Sequence, residues 1–396
     1  MAQLKNDCFA FGGDLMPLDD ALKLLRDRVD TVAGIEVIGL SSALGRVLAE
    51  DIIAKRNVPP KDNSAVDGYA VFFDDLDPDS KTRFPVTGRA AAGHPLNRVP
   101  ARGEAIRIFT GAPMPEGMDT VFMDEDSELI GSEVILPHGL KRGANRRIKG
   151  EDIQEGTKIL ASGRRLRPQE LGLIASVGIQ ELNVRSKLRV AVFSTGDEVC
   201  DPNDQASDGS IFDANRYSVI SLLKNMHCKV TDLGILSDDE DAITAALGSA
   251  ALNHDVIITS GGVSAGEEDH VKAALERVGS IHLWRLAIKP GRPIAFGQLG
   301  HAVFIGLPGN PVAAMVTFMV IARPVLLMLM GAIKTSIPRY NVTSDFQYKK
   351  KIGRREWVRA ILASGSGSKL VVQKFRSSGA GILTSMVEAD GLVELP

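Results

Sequence analysis

A chain of 396 residues is longer than one hydrophobic core normally serves, so two to four domains are expected. Apolar residues at 44% and charged residues at 24% describe a soluble globular protein. A net charge of −3, from 46 basic and 49 acidic residues, excludes a globally basic surface for nucleic acid, so any anion binding must come from local placement.

The N-terminus, MAQLKNDCFAFGGDLMPLDD, has no basic patch followed by an apolar run, and no secretory signal is expected. Residues 17–29 read as a helix with Leu18, Ala21, Leu24, Leu25 and Val29 on one face. From 56 to 140, proline and glycine are frequent and short runs such as Glu104–Phe109 and Thr120–Met123 alternate, which predicts a β-rich segment with many turns. A linking region at about 147–186 includes a helix over 168–177, opened by Pro168. Strand signals at Val190–Phe193, Lys229–Leu233 and Val256–Thr259 then alternate with helical stretches near 214–226, 238–251 and 267–277. Further strand signals at Leu286–Ile288, Ile294–Gly297 and Val303–Ile305 lead into the apolar stretch Pro311–Ile333. Alternation on this scale predicts a mostly parallel, doubly wound α/β domain. The apolar stretch is interrupted by Arg323 and Pro324, so a buried helix is expected rather than a membrane span. From about 338 the chain returns to short strands, a small β domain. The expected division is therefore 14–55 with 147–186 as a linking domain, 56–146 as a β-rich domain, 187–332 as the α/β domain and 333–396 as a C-terminal β domain. Cys8, Cys200 and Cys228 are few, odd in number and without a CxxC pair, so reduced cytosolic thiols are expected rather than a disulfide framework or a cysteine zinc site.

Ligands of a doubly wound sheet sit beyond the carboxyl ends of its strands. Three such loops carry chemistry here. Ser194-Thr195-Gly196-Asp197-Glu198 places two carboxylates beside a glycine, which suits a metal or polar ligand and equally suits a turn cap. Thr259-Ser260-Gly261-Gly262-Val263-Ser264-Ala265-Gly266 can turn several N–H groups toward one point before a helix, a phosphate cradle. No Gly-Lys-Ser/Thr follows, so it is not a nucleotide-hydrolysing P-loop. Glu267, Glu268 and Asp269 open the next helix; they either favour its N-terminus or hold a divalent cation between themselves and the anion, and oxygen ligands favour magnesium. Lys289-Pro290-Gly291-Arg292-Pro293, with Arg285 upstream, sets cations on a stiff turn suited to oxyanion oxygens, followed by Leu307-Pro308-Gly309-Asn310-Pro311. In the β-rich segment, Asn63–Val71 and Thr110–Pro115 read by pattern as ordinary turns, while Asn145–Asp152 mixes bases and acids and suits a surface salt-bridge cluster and an anion-binding role equally. His270 is read as a helix residue, since no nucleophile pairs with it.

Taken together and in order, these runs resemble those of the molybdopterin molybdenumtransferases, a family related to the C-terminal domain of gephyrin, from about residue 14 to the end. The resemblance implies an elongated cytoplasmic homodimer of four-domain subunits that inserts molybdate into adenylylated molybdopterin and releases AMP, with magnesium assisting. It implies that Asp67 and Thr110 line the partner subunit's site, with Asp152 in the matching Gly-Glu-Asp run. Glu198, Asp238 and Asp269 would form the metal-associated acidic side. Ser260, Gly261, Gly262, Ser264 and Gly266 would cradle the pterin's phosphate; Arg285, Lys289 and Arg292 would hold molybdate or phosphate oxygens; Pro308 and Pro311 would shape the pocket wall. Partners implied beyond the substrates are the adenylylating enzyme and molybdoenzyme maturation proteins, with neither nucleic acid nor membrane.

The chain departs from the family pattern in three places. Arg285 stands where a lysine is common, and a planar fork replaces a point charge. Arg146 stands where a small apolar residue is common. The chain stops at Gly391–Pro396 where the family usually continues for a strand or hairpin, so an incomplete last domain is expected. Molybdate and tungstate match in charge and nearly in size, and both remain open as the oxyanion. A pterin-binding scaffold that anchors a partner protein is the alternative from another class; the absence of a separate adenylylating domain and the retained acidic positions favour the enzyme.

Overall fold

The computed structural model describes residues 15–262, 270–365 and 370–395. Its largest sheet runs in the order Lys229–Leu236, Arg189–Thr195, Val256–Ser260, Ala302–Leu307, Pro293–Leu299, Ser280–Arg285. The first four strands are parallel, and the last two form antiparallel pairs at one end. These strands read as near-continuous apolar runs because both faces are covered. Val190, Val192, Val256 and Ile258 face helices Leu18–Arg28, Ala214–Asn225 and the apolar helix after Pro311. The alternate residues Ala191, Phe193 and Ile257 face helices Glu240–Asn253 and His270–Val278.

The sheet departs from the expected elements in one place. Ser280–Arg285 is a strand that the periodicity did not pick out, while the apolar residues Leu286 and Ala287 sit buried beyond its end. Only Ile288–Lys289 of that stretch is a strand, and it pairs with Arg355–Glu356 of the C-terminal sheet. That sheet also contains Leu370–Lys374, Thr343–Ser344 and Gly391–Leu395.

The apolar helix runs from Pro311 to Leu329 and is long and apolar enough by composition to cross a membrane, but 72% of its apolar window is buried inside the protein. Pro324 lacks an N–H and its ring crowds the preceding turn. The helix passes it by opening into a π turn over Phe318–Ala322 and resuming at Arg323.

Two segments far apart in sequence build the linking region. Ile35–Gly39 pairs antiparallel with Glu181–Arg185, and Ile52–Ile53 pairs with Lys158–Leu160. Ala43, Leu48, Ile52, Ile153, Ile174 and Val184 share one small core. The first helix, drawn with the linking segment 14–55 in the sequence, packs instead into the α/β core through Leu18, Ala21 and Leu25. Its apolar face has no sheet of the linking region to cover it, and the strand end at Arg285–Leu286 receives Met16 as a parallel bridge. The β-rich part is a six-stranded sheet in the order Thr120–Met123, Gly68–Val71, Ala105–Ile108, Thr82–Ala90, Glu133–Leu136, Glu128–Ile130.

Gly68 lies on an inner strand, paired with Ile108 on one side and Met123 on the other. A Cβ there would stand 1.7 Å from the Phe122 carbonyl oxygen, and both neighbouring strands hold the backbone in place. Gly68→Ala should therefore destabilise the β-rich part by about 3 kcal/mol, the upper range of overpacking. Urea unfolding followed by Tyr69 fluorescence checks this, and an unchanged midpoint would show that the strands can part.

Candidate functional site

The carboxyl ends of the four parallel strands carry, in spatial order, Asp238, the Gly196–Glu198 turn, the Ser260–Gly262 turn and the Pro308–Pro311 turn. Strand Arg189–Thr195 is followed by a neighbour on one side, Lys229–Leu236, and the chain then crosses to the other side for Val256–Ser260. Their helices lie on opposite faces of the sheet, so the crevice opens where the winding reverses, between the turns after Thr195 and Ser260.

The turn glycines are fixed by geometry. Gly261 and Gly262 have φ of +93° and +63°. A Cβ on Gly262 would stand 2.6 Å from Val271 and 2.8 Å from the Thr195 hydroxyl. Gly261 donates its N–H to the Leu307 carbonyl, and the Gly309 turn comes against Gly261. Asn215 donates to the Gly309 carbonyl at 2.6 Å, tying the Pro308–Pro311 turn to the start of helix Ala214–Asn225. Pro308 is buried and Pro311 half-buried.

Around this crevice the hydroxyl oxygens of Ser194, Thr259 and Ser260 are buried and have no hydrogen-bond partner among the described residues. Buried polar atoms are normally satisfied, and three orphans at one strand edge point to an absent polar ligand or water. Glu198 is exposed and folds back so that its carboxylate covers Gly196. Asp238 is half-buried, with no hydrogen bond or ion pair among the described residues. Asp269, Ser264 and Gly266 lie outside the described residues. Among those described, no group of three or more potential metal ligands comes together. The hard oxygen donors present suit a cation such as magnesium better than a soft metal.

Arg285 and Arg292 extend the same edge beyond the Pro308 turn, because strands Ser280–Arg285 and Pro293–Leu299 meet there with Arg285 opposite Pro293. Both guanidinium-bearing residues are exposed. Ser260 and Arg285 are three strands apart, about 14 Å at roughly 4.8 Å per strand, so the edge suits an extended ligand rather than a compact one.

Lys289 is engaged with its own chain. Its ammonium donates to the Tyr348 hydroxyl at 3.2 Å and lies 3.4 Å from the Glu356 carboxylate. Glu356 is 1% exposed. Burial pushes its carboxyl up, but Tyr348, donating at 2.5 Å, Arg354 at 2.7 Å and the Lys289 charge bring it down to about 2. The expectation of a lysine open to an incoming anion thus changes to one already held by a buried acid. Nothing in the pattern around Tyr348 or Glu356 signals this role, since the two residues meet Lys289 only through the pairing of distant strands.

On the β-rich part, Asp67 accepts the backbone N–H and the hydroxyl of Thr110, each at 2.7 Å. These bonds, with Arg107 nearby, hold its carboxyl below the ordinary aspartate range. The turns carrying Asn63–Asp67, Thr110–Met114 and Asn145–Arg147 are laced by backbone hydrogen bonds from Ser64 to Ala112, Gly111 to Ser64, Ala65 to Asn145 and Met114 to Asp62. Asp62 also accepts from Lys149 and faces Arg146 at 3.6 Å, which brings the turn bearing Asp152 to the same face. Asp152 is exposed. Within one chain, no hydrogen bond or ion pair among the described residues joins Asp67, Thr110 or Asp152 to Glu198, Asp238 or Ser260. The two groups of residues are carried by different sheets, the β-rich sheet and the α/β sheet.

Three family models match the chain: "MoeA N-terminal region (domain I and II)" over residues 16–178, "Probable molybdopterin binding domain" over 191–328 and "MoeA C-terminal region (domain IV)" over 341–396. A molybdopterin molybdenumtransferase of Haemophilus influenzae is 38% identical over 96% of this chain and 94% of its own. One from Nostoc is 32% identical over 93% and 86%, and the gephyrin of Dictyostelium discoideum 29% identical over 97% of this chain and 60% of its own. Among solved structures, a molybdopterin biosynthesis moeA protein from Pyrococcus horikoshii superposes with a TM-score of 0.81 at 26% identity, covering 97% of this chain and 96% of that one.

The depressed Glu356 carboxyl links the C-terminal sheet to pH. Its ionised form stabilises the fold fully above the unfolded value near 4.5, and that contribution is lost as pH falls toward about 2. Glu356→Gln should be less stable than the unchanged chain at pH 7, and the gap should narrow as pH drops below 4. Thermal melts at pH 7, 4 and 3 read it; a gap that stays constant would show that Glu356 is not ionised in the fold.

Proposed function

The chain belongs to the molybdopterin molybdenumtransferases, and on that premise we propose that it inserts molybdate into adenylylated molybdopterin, releasing AMP and forming molybdenum cofactor. The observation that carries the reading is the strand edge at the winding reversal, which bears buried hydroxyls and two acids with no side-chain partner among the described residues, beside a left-handed glycine turn. The substrate's phosphate is held by the Ser260–Gly262 turn, continuing into Ser264 and Gly266. Glu198, Asp238 and Asp269 would hold magnesium, which when bound offsets phosphate charge and polarises the phosphoryl oxygens. Arg285 and Arg292, exposed on the same edge, hold oxyanion oxygens as planar forks, and Lys289 adds a point charge where the C-terminal sheet places it. Pro308 and Pro311 wall the pocket.

In the reaction, water adds to phosphorus and the phosphoanhydride between the pterin phosphate and AMP breaks, leaving the pterin phosphate and AMP. The two dithiolene thiols then bond to molybdenum, and their two protons leave with one molybdate oxygen as water, with no change in oxidation state. The chain's residues position charge for this; Cys228 is buried with its thiol pushed up to about 12, mainly by burial, which makes it a poor nucleophile. The protein works as a cytoplasmic homodimer in which Asp67, Thr110 and Asp152 complete the partner's site. The placement of these residues on a sheet other than the one that carries Ser260 supports this reading.

Purified protein given adenylylated molybdopterin should release AMP only when molybdate and magnesium are both present. Absence of AMP under those conditions favours the scaffold reading, in which the pterin is bound but not processed. Asp67→Ala and Asp269→Asn should each abolish release. Mixed dimers of the two, after verified subunit exchange, should recover about a quarter to half of the unchanged rate, since only mixed dimers carry one intact site. No recovery places each whole site within one subunit.

A further inference from the structure

Arg216 is only 4% exposed and is bound by three aspartates from three separate segments. Its Nε meets Asp213, the N-cap of its own helix, at 2.9 Å. One terminal nitrogen meets Asp232 at 2.5 Å, and the other meets Asp201. Each partner belongs to a different element. Asp201 lies three residues after Glu198, on the ribbon formed by Val199–Cys200 and Ile211–Phe212. Asp232 lies six residues before Asp238, on the outermost strand of the parallel set.

Asp232 also marks an irregularity in that strand. Its second carboxylate oxygen accepts the Gly234 N–H at 2.9 Å, Gly234 has φ of +76°, and the pairing with Arg189–Thr195 shifts register between Val192 and Ser194. This is a bulge, which re-aims the end of a strand. The direction in which the chain leaves Leu236 for Asp238 follows from it. Arg216 holds the bulge by one oxygen of Asp232 while the other holds Gly234. A guanidinium forms several bonds in one plane, so the three aspartates are fixed relative to one another as well as to Arg216.

We infer that Arg216 is a positioning residue that, through Asp201 and the bulge at Asp232–Gly234, sets the carboxylates of Glu198 and Asp238 to face one divalent cation. The inference rests on the proposed magnesium site and concerns its geometry. Nearby, Asn215 fixes the Gly309 turn in the same helical turn, so the start of helix Ala214–Asn225 ties three of the four loops of the edge together.

The test uses Mn²⁺ as the probe, with binding to the purified full chain read by electron paramagnetic resonance in the absence of pterin. Two variants are compared: Arg216→Lys, which keeps charge but not the planar fork, and Asp232→Asn, a milder change at a side chain that is 43% exposed. Circular dichroism and the melting temperature establish that each variant is folded. Mn²⁺ affinity should fall about tenfold in Arg216→Lys and several-fold in Asp232→Asn, with the loss unchanged between 0.05 and 0.5 M salt. A purely electrostatic effect of the lost aspartate charge would shrink over that range, because the screening length falls from about 14 to about 4 Å. Folded variants with unchanged Mn²⁺ affinity, or a loss that disappears at high salt, overturn the inference while leaving the magnesium site in place. An unchanged chain that binds no Mn²⁺ overturns the magnesium site and the inference with it. If neither variant folds, Asp201→Asn is decisive: it leaves the bulge intact, and an unchanged affinity there removes the ribbon from the argument and overturns the three-way role of Arg216.

Discussion

Burial of both faces of the parallel strands constrains everything else in the molecule. Val190, Val192 and Ile258 require helices on one side of the sheet, and Ala191, Phe193 and Ile257 require them on the other. A chain that must cover both faces has to change winding direction once, and the loops beside that change cannot close over each other. The crevice between the Gly196 and Ser260 turns is thus a consequence of covering the core. The first helix is drawn out of the linking region for the same reason: Leu18, Ala21 and Leu25 finish covering a face that the later helices leave open.

The site chemistry rests on groups whose solvation has been arranged by the fold. Orphaned hydroxyls at Ser194, Thr259 and Ser260 are costly unless a ligand or water meets them. Glu356 is the opposite case, a buried acid with three partners, and its charge is kept by them rather than by solvent. Asp67 lies between these, exposed but organised by two donors from one residue. Groups set in place by the fold in this way need little reorganisation when they meet a charge.

Much of this was legible in the sequence where the signal is local. The period-two and period-3.6 patterns place strand Val256–Ser260 and helix Glu240–Asn253 to within a few residues. Gly261 and Gly262 announce a left-handed turn because few other residues adopt it. The motif order at Asn63–Val71, Ser194–Glu198 and Leu307–Pro311 was enough to reach the family, which the relatives and the matched domain models bear out. What was not legible is non-local. Strand Ser280–Arg285 was hidden beside the stronger apolar run Leu286–Ile288, whose burial comes from packing. Arg216 has no motif of its own, and its three aspartates lie on three elements. The sequence places Lys289 on a stiff turn suited to oxyanion oxygens but gives no sign of Tyr348 and Glu356, which are distant along the chain.

That last separation has a kinetic consequence. Lys289 and Tyr348 are 59 residues apart, and the two-residue strand carrying the lysine pairs with the C-terminal sheet rather than with the α/β sheet it follows. The C-terminal strands are synthesised after the α/β segment, so Lys289 leaves the ribosome before either of its partners. During synthesis the α/β core can therefore assemble around its two apolar faces while this one cation still lacks its partners. Arrival of the C-terminal strands gives Lys289 its hydroxyl and carboxylate partners, so the position of this one cation is set by the part of the chain made last.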